Sequence, residues 1–183
     1  MHRLFVAIRP PASIRDLLID AMDDGPGLGW VSDDNLHLTL RFIGEVERPL
    51  ADDLAAALGR IRCAPFALSV AGIGRFDRRS GGALWAGVEP RAPVAALAAK
   101  IERACVTAGL APERRAFHPH ITLARWRRTA GLAADAAAAR NRALASPAFT
   151  VDRFTLFESH LSRHGAHYEA VASYRLNEQK KTV

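Results

Sequence analysis

The stretches "NLHLTLRF" at 35–42 and "FHPHITLAR" at 117–125 each set His-x-Thr inside an apolar run, and no other feature constrains the fold as much. Side chains of a β-strand alternate between its two faces. His37 and Thr39 therefore share one face while Leu38 and Leu40 take the other, and His120 and Thr122 oppose Ile121 and Leu123 in the same way. Each stretch reads as a strand with an apolar face for a core and a polar face carrying an imidazole and a hydroxyl.

What precedes each strand is also repeated. "LFVAI" at 4–8 is strand-like, and "RPPASIRDLLIDAM" ends it with prolines and starts a helix. Ser13 is the expected cap, and Ile14, Leu17 and Leu18 form the apolar side. A Gly/Pro loop at 23–30 then leads to the first His-x-Thr strand. In the second half, "ALWAGVEP" at 83–90 is a strand ended by Pro90. A helix over 92–110 stops at Gly109, and a Pro-containing loop leads to the second His-x-Thr strand. The spacings agree: Pro10 to His37 is 27 residues and Pro90 to His120 is 30. Two copies of strand, proline, helix, loop and His-x-Thr strand predict a pseudo-twofold pair of α/β lobes whose polar faces meet in one cleft. A helical crossover suits parallel neighbours and tight hairpins suit antiparallel ones, so strand order within a lobe stays open. Further helices are expected at 49–62 and 130–145, and strands at 66–76 and 149–161. "GIGRFDRRSGG" reads as a basic loop and 177–183 as a frayed tail.

The 183 residues suffice for one bilobal domain. No apolar run approaches the ~20 residues that cross a bilayer, and the opening "MHRLFVAIRPP" lacks the pattern of a signal peptide, so a cytoplasmic protein is expected. Cys63 and Cys105 make neither a disulfide framework nor a metal spacing, and read as buried apolar side chains. The net charge of +6 is carried mostly by arginine, whose planar fork suits phosphate, although a compositional bias toward Arg and Ala explains the same excess.

Two histidines facing one cleft can be held in opposite protonation states near neutrality, one as base and one as acid. Hydroxyls about 7 Å further along each strand would hold phosphoryl oxygens. That set suffices for in-line displacement at phosphorus without a metal or other cofactor. A single His-x-Thr is more simply a structural histidine; the duplication is what points to chemistry. His118 and His120 have a metal-like spacing, but neither motif contains a carboxylate, and Pro119 reads as a strand-entry residue. His2, His160, His164 and His167 fall in terminal or turn-like segments, and P-loop and dinucleotide-binding glycine motifs are missing.

At these residues, together with "RLFVAI", "WVSDDNLHLTLRFIGEV", "ALWAGV" and "LFESHLSRHGAHYEAV", the chain resembles the 2H phosphoesterase superfamily. Within it, the resemblance is to the RNA 2′,3′-cyclic phosphodiesterases, also described as 2′-5′ RNA ligases. The resemblance implies a bilobal α/β (α+β) fold over 1–183 with antiparallel-rich sheets lining a central cleft and helices outside. It implies metal-independent opening of an RNA terminal 2′,3′-cyclic phosphate to a 2′-phosphomonoester, reversible as 2′-5′ ligation. His37 would be the proton donor and His120 the proton acceptor. Thr39 and Thr122 would hold non-bridging oxygens, and Arg125 would contact the phosphate. Strict alternation puts Arg125 on the wrong face unless the strand ends or bulges there. The same alternation puts Arg41 beside His37 and Thr39, which makes Arg41 a second candidate substrate contact. Arg75, Arg78, Arg79, Arg114 and Arg115 are candidate rim residues, with Phe42 or Trp30 as a stacking platform for a base. The implied partner is an RNA end, tRNA fragments among the candidates, bound by a monomer with no obligate protein partner. The alternatives are a non-catalytic module that binds RNA ends or nucleotides, and a 2H enzyme acting on a small cyclic nucleotide.

Overall fold

The computed structural model describes residues 1–22, 27–127, 130–162 and 165–177. Part of the 23–30 loop, His164 and most of the 177–183 tail lie outside the described residues. The strands are β1 (His2–Ile8), β2 (Leu28–Trp30), β3 (Leu38–Val46), β4 (Phe66–Arg78), β5 (Gly81–Glu89), β6 (His120–Arg127), β7 (Phe149–Val151), β8 (Arg153–Ser162) and β9 (Gly165–Arg175). Among the described residues four α-helices accompany them, α1 (Ala12–Asp20), α2 (Arg48–Leu58), α3 (Arg91–Thr107) and α4 (Gly131–Arg140), with a 3-10 turn at Asp33–Asn35.

The strands join in one sheet in the order β7-β4-β5-β6-β3-β1-β8-β9, with β2 also pairing β6. It is built as two antiparallel halves, and among the described residues the β3–β6 pair joining them is Leu38 opposite Ile121. The repeated unit is present in both halves. β1 pairs β3 and β5 pairs β6, in each case antiparallel and with a helix in the connection. The intervening helix thus returns the chain antiparallel instead of making a parallel crossover.

Ile14 and Leu18 of α1, Leu54 and Leu58 of α2, and Val94, Leu97 and Ile101 of α3 pack with Leu38, Leu40, Ile121 and Leu123 in one buried cluster. Burying each such side chain is worth about 1.5–3 kcal/mol, which fixes the apolar faces of both motif strands inward. The faces carrying the histidines point away from this helical layer.

Several expectations change. Pro11, not Ser13, occupies the cap of α1, and no side chain hydrogen-bonds there. The 130–145 helix ends at Arg140. The glycine-rich basic stretch is a hairpin, since β4 runs through Arg78 and Arg78 pairs Gly81 of β5. Its glycines keep the surface flat under large rings: a Cβ at Gly74 would collide with Trp85, and one at Gly82 with Trp126. The single strand expected at 149–161 is two. Val151 pairs Phe66 in one half while Arg153 pairs Arg175 in the other, so the chain crosses between halves at Asp152. The Asp152 carbonyl accepts the Leu176 amide at 2.7 Å. Gly109 ends α3 as expected, with φ of 111°.

Candidate active site

The Leu38–Ile121 pair sets the geometry of the site. In an antiparallel register that places 38 opposite 121, position 37 lies across from 122 and position 39 across from 120. His37, Thr122, Thr39 and His120 therefore surround the β3–β6 pair. All four project to the face opposite Leu38 and Ile121, which are 1% and 0% exposed in the helical core.

Each imidazole is oriented the same way. His37 Nδ1 donates to the Asn35 carbonyl at 2.7 Å, and His120 Nδ1 donates to the His118 carbonyl at 2.6 Å. A carbonyl only accepts, so Nδ1 carries the hydrogen in both rings and Nε2 of the neutral ring is left as the acceptor. The surroundings are aromatic. Phe5 lies 5.0 Å and Tyr168 5.2 Å from the His37 ring, and Phe76 lies 5.0 Å from the His120 ring.

Burial is the largest cause that pushes His37 down to about 4. The Asn35 carbonyl opposes that shift, while Arg125, His120 and Arg9 add to it by repulsion. His120 is also lowered, by burial first, against the pull of the His118 carbonyl and with repulsion from His118 and Arg125. The charge of Arg125 thus reaches both histidines, which places the three on the same side of the sheet. Neither threonine hydroxyl hydrogen-bonds to another described residue, which leaves both free for a ligand oxygen.

A bulge at the same place in both motifs decides where the arginines point. In β3, Val6 pairs Arg41 but Ala7 pairs Thr39, so Leu40 is skipped. In β6, Leu84 pairs Ala124 but Trp85 pairs Thr122, so Leu123 is skipped. An extra residue inverts the alternation beyond it. Arg125 consequently lies on the histidine side, exposed, and has no carboxylate partner among the described residues.

Arg41 is inverted the other way, which corrects its expected place beside His37. Its side chain, 10% exposed, pairs with Glu102 of α3 at 2.5 Å and Glu113 at 3.5 Å. It also donates to the carbonyls of Phe42 and Ala111, both at 2.8 Å. The cleft position five residues after His37 belongs to Phe42, 56% exposed and 6.2 Å from Phe5. Trp30 is half-buried against two apolar clusters instead.

Of the rim candidates, Arg75 is held by Asp77 and Asp135 and lies 5.3 Å from the Trp126 ring, and Arg115 pairs with Glu113. Arg78, Arg79 and Arg114 are exposed. His118 packs edge-on against Trp85 at 4.8 Å, and the Nε2 of His118 and Nε1 of Trp85 are buried without hydrogen bonds. Sequence reading missed three contributors: the carbonyls of Asn35 and His118, the Tyr168 edge, and Arg9, whose charge reaches His37. The first had a signal, since both carbonyls lie two residues before their histidine.

Fold and motifs together place the chain among the 2H phosphoesterases. A model of the 2′-5′ RNA ligase superfamily matches residues 10–163, and the chain belongs to that superfamily. It is 34% identical over 185 residues to the RNA 2′,3′-cyclic phosphodiesterase of Escherichia coli strain K12, covering 97% of this chain and 98% of that one. It is 33% identical over 163 residues to the protein of the same name from Geobacillus stearothermophilus, spanning 86% of this chain but only 50% of the relative's length. Among solved structures, E. coli LigT complexed with 3′-AMP superposes with a TM-score of 0.77 at 30% identity, covering 97% and 99% of the two chains.

Proposed function

We propose that this protein hydrolyses the terminal 2′,3′-cyclic phosphate of RNA to a 2′-phosphomonoester by paired-histidine acid–base catalysis. The observation that carries the reading is the quartet of His37, Thr39, His120 and Thr122 around the Leu38–Ile121 bridge, with both imidazoles presenting Nε2. A cleft that only bound RNA ends would have no use for two oriented proton carriers. The names of the relatives and the 3′-AMP held by LigT support the same substrate class.

In the reaction, His120 Nε2 takes a proton from water as its oxygen attacks phosphorus. The bond from phosphorus to the 3′ oxygen breaks in line, and His37 Nε2 gives its proton to that oxygen, leaving the phosphate on the 2′ oxygen. Thr39, Thr122 and Arg125 hold the non-bridging oxygens, where negative charge gathers. A 5′ hydroxyl in place of water would make a 2′-5′ linkage with the same two proton transfers.

His37 is the more strongly lowered of the pair, so its proton has to be stabilised by the substrate. A docked phosphate does so directly, and it neutralises Arg125, which otherwise repels both imidazolium forms. Phe42 offers its exposed face to the base, and Arg41 serves the fold, tying β3 to Glu102 of α3 and to Glu113. The reading is of a monomer working in the cytoplasm without metal or cofactor; no helix among the described residues is long and apolar enough to cross a membrane.

A substrate with sulfur in place of the bridging 3′ oxygen tests the two roles, because a thiolate leaves without a proton. His37→Ala should regain most of its turnover on that substrate while His120→Ala stays inactive. Rescue of His120→Ala instead would reverse the assignment.

A further inference from the structure

Behind the sheet, on the helical side, a shallow depression of about 300 Å³ is lined by Arg60, Ile61, Arg62, Lys100 and Arg103. Four of these five side chains are cationic, and none has a carboxylate partner among the described residues. Two of them are held by the backbone: Lys100 Nζ donates to the Arg62 carbonyl at 2.6 Å, and Arg62 donates to the carbonyls of Gly59 and Ile61 at 3.0 and 3.1 Å. These bonds fix where the side chains sit but leave their charge uncompensated.

Within "KIER" at 100–103, Glu102 is two residues from Lys100 and one from Arg103, so the helix points it away from the face those two cations share. Glu102 is instead turned toward β3, where Arg41 holds it together with Glu113. Lys100 and Arg103, three apart on α3, share a helix face and meet Arg60 and Arg62 at the end of α2. Glu102 and Glu113 are thus engaged with Arg41 at the sheet, on a different side of α3 from the cations of the depression.

We infer that this depression is a second contact for the RNA substrate, binding backbone phosphates of the RNA body while the cyclic end occupies the cleft. The inference rests on the RNA-end reading above and extends it from the terminal nucleotide to the chain behind it. Backbone phosphate is the chemistry that fits: three guanidinium groups and a lysine suit phosphate oxygens, and Ile61 is the one apolar residue among those that line the depression. The helical layer, about 10–12 Å thick, separates the depression from the cleft face, so only an RNA several nucleotides long or folded could reach both.

Arg60→Glu/Arg103→Glu tests this, because both side chains are exposed and neither holds a backbone bond in the fold. Binding of an RNA of about twenty nucleotides ending in a 2′-phosphate is read by fluorescence anisotropy across a salt series, beside turnover of a 2′,3′-cyclic mononucleotide. The expected result is at least ~10-fold weaker RNA binding and a salt dependence shallower by about one to two in log–log slope, with mononucleotide turnover unchanged. Unchanged RNA affinity and slope would overturn the inference. A loss of mononucleotide turnover equal to the loss of RNA binding would also overturn it, by showing that the charges act on the cleft. Failure of the wild type to turn over any cyclic phosphate counts against the catalytic reading alone, since the anisotropy arm still decides the second contact.

Discussion

The half-site around His37 and the half-site around His120 have the same backbone and different side chains. Both place a carbonyl two residues before the histidine on Nδ1, and both skip a residue at the third position after it. Both thereby bring the fifth position after it into the cleft. That position is Phe42 in one half and Arg125 in the other. The fourth is Arg41, pinned to two carboxylates, opposite a buried Ala124. The second before it is Asn35, whose amide donates to the Ala166 carbonyl at 2.8 Å, against His118 in its aromatic pocket. The duplicated backbone orients two imidazoles in the same way, and the divergent side chains make the two sides differ, with a guanidinium at the fifth position of one and an aromatic ring at that of the other.

The comparison breaks most sharply at the histidines. His37→Ala and His120→Ala should each lower turnover by ~10²–10⁴, with unchanged thermal unfolding midpoints; a small effect in one alone would mean that the halves do not act together. Next come the two fifth positions. Arg125→Ala should cost on the order of 10²-fold in kcat/KM, and Lys should rescue it only in part because it lacks the fork. Phe42→Ala should raise KM for a nucleotide by only several-fold. Equal losses in these two variants would remove the polarity of the cleft.

The pH profile sharpens the same contrast. A base must be neutral and an acid protonated, so kcat/KM falls on either side of the two pKa values of the free enzyme. Both histidines are lowered, so the maximum should lie below about 6.5. Removing Arg125 lifts a repulsion from both imidazolium forms and should move the maximum upward; an unmoved or downward shift would contradict the shared cleft. Smallest in activity is Arg41→Ala. It leaves Glu102 and Glu113 without their partner and should cost roughly 1.5–3 kcal/mol in denaturant unfolding, with kcat nearly retained.

The repeat, the alternation and the four quartet residues could be read in the sequence, because a two-residue period and a duplicated order of elements are local patterns. The bulges could not. "TLRF" and "TLAR" contain no glycine or proline to mark an extra residue, and only the cross-strand partners Ala7 and Trp85 reveal that Leu40 and Leu123 are skipped. For that reason alternation misplaced Arg41, and the cleft position of Arg125 came from resemblance. The crossing at Asp152 was hidden similarly, since "FTVDRFTLF" is uninterrupted strand composition and the two halves that claim its ends lie far away in sequence. Glycines at 74 and 82 resembled loop residues because their role is to make room for tryptophan rings that only tertiary packing brings over them.

The most direct test of the central claim is incubation of the protein, in excess chelator, with an oligoribonucleotide ending in a 2′,3′-cyclic phosphate, followed by assignment of the product phosphate to the 2′ or 3′ oxygen. The account predicts a 2′-phosphate formed by the wild type and by neither His37→Ala nor His120→Ala. A 3′-phosphate, or a 2′-phosphate still formed at near wild-type rate by either variant, would contradict it.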